Sequence, residues 1–278
     1  MRRLSVIPAL LITAAVVAAP AEAAGVSYVS IGDSYTSGSL IPNQVNLPCT
    51  RSDRNYPSLV AQGIKPAKFT DASCGGATTE HMTGAQIPLN TPQFDRLKAD
   101  TSLVTVGIGG NDVPFAEVVV TCAGLGAFKP HGSPCQDYYS SNGHDRLGDK
   151  VRAVGPKVKN VLLGVKARSP QAKVVLVGYP TLMPDDGTNC WPFLPISDGD
   201  APYLRDITKL LNDVLAEQAA AVGAVYVDTY ESSVGHDMCK PASVRWVEGI
   251  VPSNPAAPVH PNAAGARNQA AQVLAALS

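Results

Sequence analysis

Short β-branched runs alternate with longer amphipathic stretches along most of this chain, and that alternation restricts its fold more than any other feature. The runs fall at residues 27–31, 67–71, 103–108, 173–178 and 224–228, and each predicts a strand. Helical patterns lie between them near 56–62, 92–98, 147–167 and 203–222. In the third of these, Val151, Val154, Val158, Val161, Leu162 and Val165 recur every three or four positions and give one apolar face. Leu204, Ile207, Leu210, Leu211, Val214 and Leu215 do the same in the fourth. A last helix is expected from about 262 to 277, with Asn262 as its N-cap. Such an order predicts an α/β fold, a central parallel sheet of about five strands covered on both faces by helices.

The chain preceding the first strand reads differently. Arg2 and Arg3 introduce an apolar run over residues 4–19, and Ala21-Glu22-Ala23 supplies small residues for cleavage. Residues 1–23 therefore read as a secretory signal peptide, leaving a single domain over 24–278 and a secreted protein. The run falls short of the roughly 20 apolar residues of a membrane span. No later segment is long and apolar enough for stable membrane insertion. A net charge of −1, with the charges interspersed, offers no surface for nucleic acid. Six cysteines, Cys49, Cys74, Cys122, Cys135, Cys190 and Cys239, follow the leader. An even number in an exported chain implies disulfides rather than a metal, since no Cys-x-x-Cys pair or finger-type histidine spacing accompanies them. Sequential pairing is the simplest arrangement.

In an open parallel sheet, ligands bind beyond the C-terminal ends of the strands. Gly32-Asp33-Ser34 follows the first strand, Gly75-Gly76 the second and Gly109-Gly110-Asn111-Asp112 the third. His260 stands in the long connection after the fifth. Each motif alone has a plainer reading: the first two as turns, the third as a glycine loop and the histidine as a structural residue. A phosphate loop is disfavoured by the missing Gly-x-Gly-x-x-Gly spacing and Walker lysine. Together, on one edge, they supply a hydroxyl nucleophile, a base and donors for a developing oxyanion. Ser34 is the expected nucleophile and His260 the base. The Ser34 and Gly76 backbone N–H groups and the Asn111 side-chain amide are the expected oxyanion donors. No cofactor or metal is called for.

The order Gly32-Asp33-Ser34, Gly76, Gly109-x-Asn111-Asp112 and His260 resembles the SGNH (GDSL-type) hydrolase superfamily. That resemblance implies a flavodoxin-like three-layer α/β/α sandwich, with these residues in the roles just given. Three cysteine pairs and the His-Pro-Asn-Ala-Ala-Gly segment beginning at His260 resemble the exported actinobacterial lipases and esterases of that superfamily. The closer resemblance favours the pairs Cys49–Cys74, Cys122–Cys135 and Cys190–Cys239, pinning long loops. It implies a secreted, monomeric serine esterase or lipase that takes a small-molecule or lipid ester, acylglycerols and simple acyl esters included. A phospholipase A or polysaccharide deacetylase is the alternative within the fold, and a non-enzymatic lipid- or glycan-binding module the alternative outside enzymology.

One departure from the superfamily pattern has mechanistic weight. Most members carry an aspartate three residues before the histidine, and this chain has Ala257 there, inside Pro255-Ala256-Ala257-Pro258-Val259-His260. Loss of such a carboxylate costs roughly 10⁴ in a serine protease. The backbone carbonyl of Ala257 or Pro258 is the expected substitute, because a carbonyl accepting from Nδ1–H fixes the same tautomer. The resemblance points the same way, since the exported actinobacterial relatives include Ser–His dyads. Asp237 and Glu248 are the remote alternatives, each expected to be an exposed loop charge. Asp33 is expected to cap the nucleophile turn, and Asp112 to bond backbone N–H groups of the Asn111 loop. Three insertions, 113–145, 179–202 and 230–258, surround this edge. An acyl groove is expected among Phe115, Leu125, Phe128 and, above all, Trp191, Phe193, Leu194 and Ile196 beside Cys190. Those side chains serve equally as small cores under the loops. Nothing resembles a long amphipathic lid helix.

Overall fold

A computed structural model describes Met1 and residues 25–278 apart from Leu89. The segment read as a signal peptide lies, Met1 aside, outside the described residues.

The chain enters through β1 (Ser27–Gly32) and turns into α1 (Tyr56–Ile64), whose cap Asn55 accepts from the Ser58 N–H. Then come β2 (Lys68–Asp71), β3 (Leu103–Gly107), α2 (Phe115–Gly126) and α3 (Arg146–Arg168). Strand β4 (Lys173–Val177), α4 (Asp200–Ala221), β5 (Val225–Val227) and α5 (Ala263–Leu277) complete the domain. All five strands are parallel, in the order β2-β1-β3-β4-β5. Tyr28 stands beside Phe69 on one side and Leu103 on the other, which sets the register of the central strands. This is the flavodoxin-like order, and its direction of winding reverses between β1 and β3.

Alternation along the strands sorts the core into two layers. Tyr28, Leu103, Val175 and Val177 face α1 and α5, where Tyr56, Val60, Ala270 and Val273 receive them. Val29, Ile31, Val104, Val106, Val174 and Leu176 point the other way, onto the apolar stripes of α3 and α4. Asn262 caps α5 as expected, accepting from the Ala264 and Gly265 N–H groups.

Two local expectations change. The pattern at 92–98 forms only the single 3₁₀ turn Gln93–Arg96. Its buried Gln93 is committed elsewhere: Oε1 accepts the Gly32 N–H at 2.7 Å and Nε2 donates to the Gly32 carbonyl at 2.9 Å, bracing the end of β1. In the opposite direction, the insertion after β3 contains a whole helix, α2. Its Val118-Val119-Val120 run and two glycines read poorly as helix, and burial of Phe115, Val118, Val119 and Cys122 overrides that weak propensity. The structure bridges Cys49–Cys74, Cys122–Cys135 and Cys190–Cys239. The first ties the segment after the Gly32-Asp33-Ser34 turn to the loop after β2. The third joins two of the insertions.

Candidate active site

Strand β1 ends at Gly32, where a Cβ would come within 2.4 Å of the Gly107 carbonyl oxygen. Only glycine permits that approach of β1 to β3. The chain then makes one helical turn, Ser34–Ser37, capped by Asp33, whose Oδ1 accepts the Tyr35 N–H at 2.9 Å. Asp33 thus takes its expected place. Ser34 opens the turn, so its N–H has no acceptor within the helix.

The connection from β5 to α5 brings His260 to the same place, although 226 positions separate the two residues. Ser34 Oγ and His260 Nε2 stand 2.7 Å apart. On the other side of the ring, Nδ1 lies 2.6 Å from the Pro258 carbonyl, which can only accept. That contact puts the proton on Nδ1 and leaves Nε2 free to accept from Ser34. Burial holds the imidazole below its ordinary value, partly countered by the Pro258 carbonyl.

The two remote carboxylates do not reach this ring, and neither is an exposed loop charge. Both are buried. Asp237 accepts the Cys239 N–H at 2.9 Å. Glu248 is enclosed by the Ser253 and Asn254 N–H groups and the Asn254 and Asn262 amides. Burial pushes Glu248 up, but these donors outweigh it and hold the carboxyl below its usual range. A carboxylate so completely bonded is stable out of water, which is why a loop position hides it. Its link to the histidine is indirect: the Glu248 N–H donates to the His260 carbonyl at 2.9 Å, and the carboxylate accepts from Asn262 Nδ2, two residues on, at 2.8 Å.

That loop is under strain. Val259, just before His260, has φ 63°, a left-handed conformation that suits a β-branched residue poorly. It is held there by its own N–H, which donates to the Gly249 carbonyl at 3.2 Å, and by the Tyr35 hydroxyl, which donates to its carbonyl.

Asn111 follows β3 in a short 3₁₀ turn, Gly110–Asp112. Its Nδ2 donates one hydrogen to the Ala77 carbonyl at 2.9 Å, which leaves the second available to a ligand. Ser34, Asn111 and His260 line one pocket. Gly76 is not part of that lining. Its N–H has no protein acceptor among the described residues, and its φ is +76°. A Cβ there would meet nothing closer than Gln86 Nε2 at 3.6 Å, so the backbone conformation, rather than crowding, accounts for glycine. Asp112 bonds across to the Gly76 loop instead of within its own. Its carboxylate accepts from the Thr79 N–H at 3.0 Å and the Thr79 hydroxyl at 2.7 Å, stapling the two donor loops together.

The apolar side of the pocket also corrects an expectation. Phe115 and Ala116 at the head of α2, Leu182 after β4 and Leu211 on α4 form it. Of the residues expected in an acyl groove, only Phe115 is there. Leu194 and Ile196 are core, whereas Phe193 projects into solvent. Sequence reasoning also passed over Tyr35 and Tyr179, both of which line the pocket. The signal for Tyr179 was its place at the end of the fourth strand, on the catalytic edge. Among the described residues, no cluster of His, Cys, Asp or Glu could hold a metal ion.

Comparison with known proteins agrees with this geometry. Residues 30–267 match the model of the GDSL-like Lipase/Acylhydrolase family. A protein named Lipase 2 from Streptomyces coelicolor is 41% identical over 263 residues, covering 92% of this chain and 88% of its own. Phospholipase A1 from Streptomyces albidoflavus NA297 superimposes with a TM-score of 0.74 at 28% identity, over 92% of this chain and all of that one, 100%. An extracellular lipase from Streptomyces rimosus gives 0.71 at 26% identity, with 91% and 98% covered.

Proposed function

Because the chain belongs to the GDSL-like lipase/acylhydrolase family of carboxylic ester hydrolases, we propose that Ser34 and His260 cleave the ester as a dyad. One observation carries this reading: Ser34 Oγ lies 2.7 Å from His260 Nε2 while the Pro258 carbonyl occupies Nδ1. Ser34 Oγ attacks the ester carbonyl carbon and passes its proton to Nε2. The tetrahedral oxyanion is held by the Ser34 and Gly76 N–H groups and the free hydrogen of Asn111 Nδ2. As the C–O bond breaks, Nε2–H protonates the departing alkoxide and an acyl-Ser34 remains. Water then attacks that acyl group, giving its proton to Nε2, and the acid leaves as Ser34 regains its hydrogen. Throughout, the Pro258 carbonyl keeps the ring in one tautomer and accepts from the imidazolium without a counter-charge.

The acyl chain enters between Phe115, Leu182 and Leu211, an apolar lining that supports simple acyl esters and acylglycerols as substrates. The likeness to a phospholipase A1 supports diacyl phospholipids as a second class. The N-terminal pattern and three disulfides, which persist in oxidising compartments, support secretion. A fluorophosphonate probe should label the protein covalently and should fail on Ser34→Ala. Labelling that persists in Ser34→Ala would refute the assignment. A series of p-nitrophenyl esters from acetate to palmitate, with a diacyl phosphatidylcholine alongside, ranks the substrates. A preference for acetate alone would count against the lipase reading.

A further inference from the structure

Tyr179 is the second residue after β4, and its phenol is buried in the site. Its hydroxyl donates to Asp33 Oδ2 at 2.5 Å and accepts the Gly110 N–H at 2.8 Å. Asp33 caps the turn that presents Ser34, and Gly110 immediately precedes Asn111. One oxygen atom therefore ties the nucleophile turn after β1 to the donor loop after β3. We propose that Tyr179 is a positioning residue for ester hydrolysis, setting the distance between Ser34 and the Asn111 amide; this rests on the reading of the site given above.

The tyrosine is itself held firmly. Its N–H donates to Asn212 Oδ1 and its carbonyl accepts from Asn212 Nδ2, each at 2.8 Å, so α4 clamps the residue from both sides of its backbone. Its ring meets that of Tyr35 edge-on at 5.1 Å, and Tyr35 in turn lies 4.9 Å from the His260 ring. A Cβ on Gly110 would sit 3.0 Å from the phenol oxygen, so the loop rests directly on it. The polarity of the link is determined: the Gly110 N–H can only donate, so the hydroxyl accepts there and spends its own hydrogen on Asp33. Oxyanion donors act only within a few tenths of an ångström of their working distance. The bonds from Asn111 to Ala77 and from Asp112 to Thr79 tether the same loop to a neighbouring loop, not to the nucleophile turn. The Asp33 N–H and the Thr36 hydroxyl donate to the Gly107 carbonyl at the end of β3, at 2.9 and 3.2 Å, and Tyr179 carries the link on to Gly110 in the loop itself.

The test is kinetic, on p-nitrophenyl butyrate, with Tyr179→Phe, Asn111→Ala and the double variant. Tyr179→Phe should lower kcat by roughly 10–100-fold with KM within about twofold, because the lost interaction matters in the transition state. In the Asn111→Ala background the same change should cost less than about threefold, since the donor it positions is already gone. A purely structural tyrosine would give equal losses in both backgrounds, or a raised KM with kcat intact, and either result overturns the proposal. Should the phenylalanine variant not fold, 4-aminophenylalanine at position 179 keeps the shape and the donor to Asp33 but accepts poorly from Gly110. It should show the same loss and the same non-additivity, and wild-type kcat would overturn the proposal. Fluorophosphonate labelling of the wild type reads the nucleophile separately. Its absence sinks the reading of the site, whereas labelling with additive kinetics sinks only the role of Tyr179.

Discussion

At the scale of single residues, the site consists of groups whose protonation is fixed by neighbours. The proposed dyad requires neutral His260, and burial holds its imidazole below the ordinary value of about 6.5. The acid limb of kcat/KM should therefore fall below that value, and a midpoint well above it would contradict the environment described. Asp33 is shifted the other way. Burial pushes it up to about 7, against the pull of hydrogen bonds from Tyr179 and Tyr35. Its folded value exceeds its unfolded one, so the folded protein holds an extra proton between the two. The resulting stability is present at low pH and is lost as pH rises through about 7. Asp33→Asn should flatten this dependence, so its melting temperature should gain on the wild type as pH rises from about 4 to about 7. A constant difference across that range would exclude titration of Asp33. Ser34, Asn111 and His260 were legible in the sequence because their chemistry restricts residue type and their motifs follow successive strands. Tyr179 was not, since an aromatic at a strand end serves packing as readily as positioning. Only the fold reveals which two loops its hydroxyl joins.

Among the elements, the connection into α5 determines whether the base works. Its missing aspartate was visible as Ala257, and that absence alone pointed to a carbonyl. Which carbonyl was not visible, because it depends on the left-handed turn at Val259. Such a turn costs roughly 1–3 kcal/mol and survives only where its surroundings enforce it, here through Tyr35, Gly249 and the Glu248–Asn262 cluster. Glu248→Gln turns one of two acceptor oxygens, each facing two donors, into a donor, and should cost several (~3–5) kcal/mol of stability. Asp237→Asn should leave turnover within about threefold, because this carboxylate does not touch the imidazole. Either variant losing all turnover while melting like the wild type would return a carboxylate to the mechanism. The burial of both acids escaped sequence reasoning because their hydrogen-bond donors are backbone N–H groups and amides, which leave no pattern in composition; Lys240 and Arg245 stand only at 4.0 Å.

For the molecule as a whole, the alternation of strands and helices was enough to place four catalytic motifs on one sheet edge, and the sheet order puts Ser34 and Asn111 on either side of the β1–β3 switch point. The insertions were harder to read. Helix α2 brings Phe115 to the pocket, while Trp191 and Phe193 do not line it, because packing and the Cys190–Cys239 bridge, not hydrophobicity, decide where a loop lies. Leu211→Ala should open the pocket floor and move the preferred p-nitrophenyl ester towards longer acyl chains, at a stability cost of about 2–5 kcal/mol. An unchanged preference would place the acyl chain elsewhere. The claim that two distant side chains and three donors form one machine has a more direct test, a crystal structure of the protein inhibited by an alkyl phosphonate. The account predicts phosphorus bonded to Ser34 Oγ. It also predicts one phosphonate oxygen about 2.7–3.1 Å from the Ser34 N, Gly76 N and Asn111 Nδ2 atoms, with Nδ1 of His260 still on the Pro258 carbonyl. An adduct on another residue, or an oxygen turned away from those donors, would contradict it.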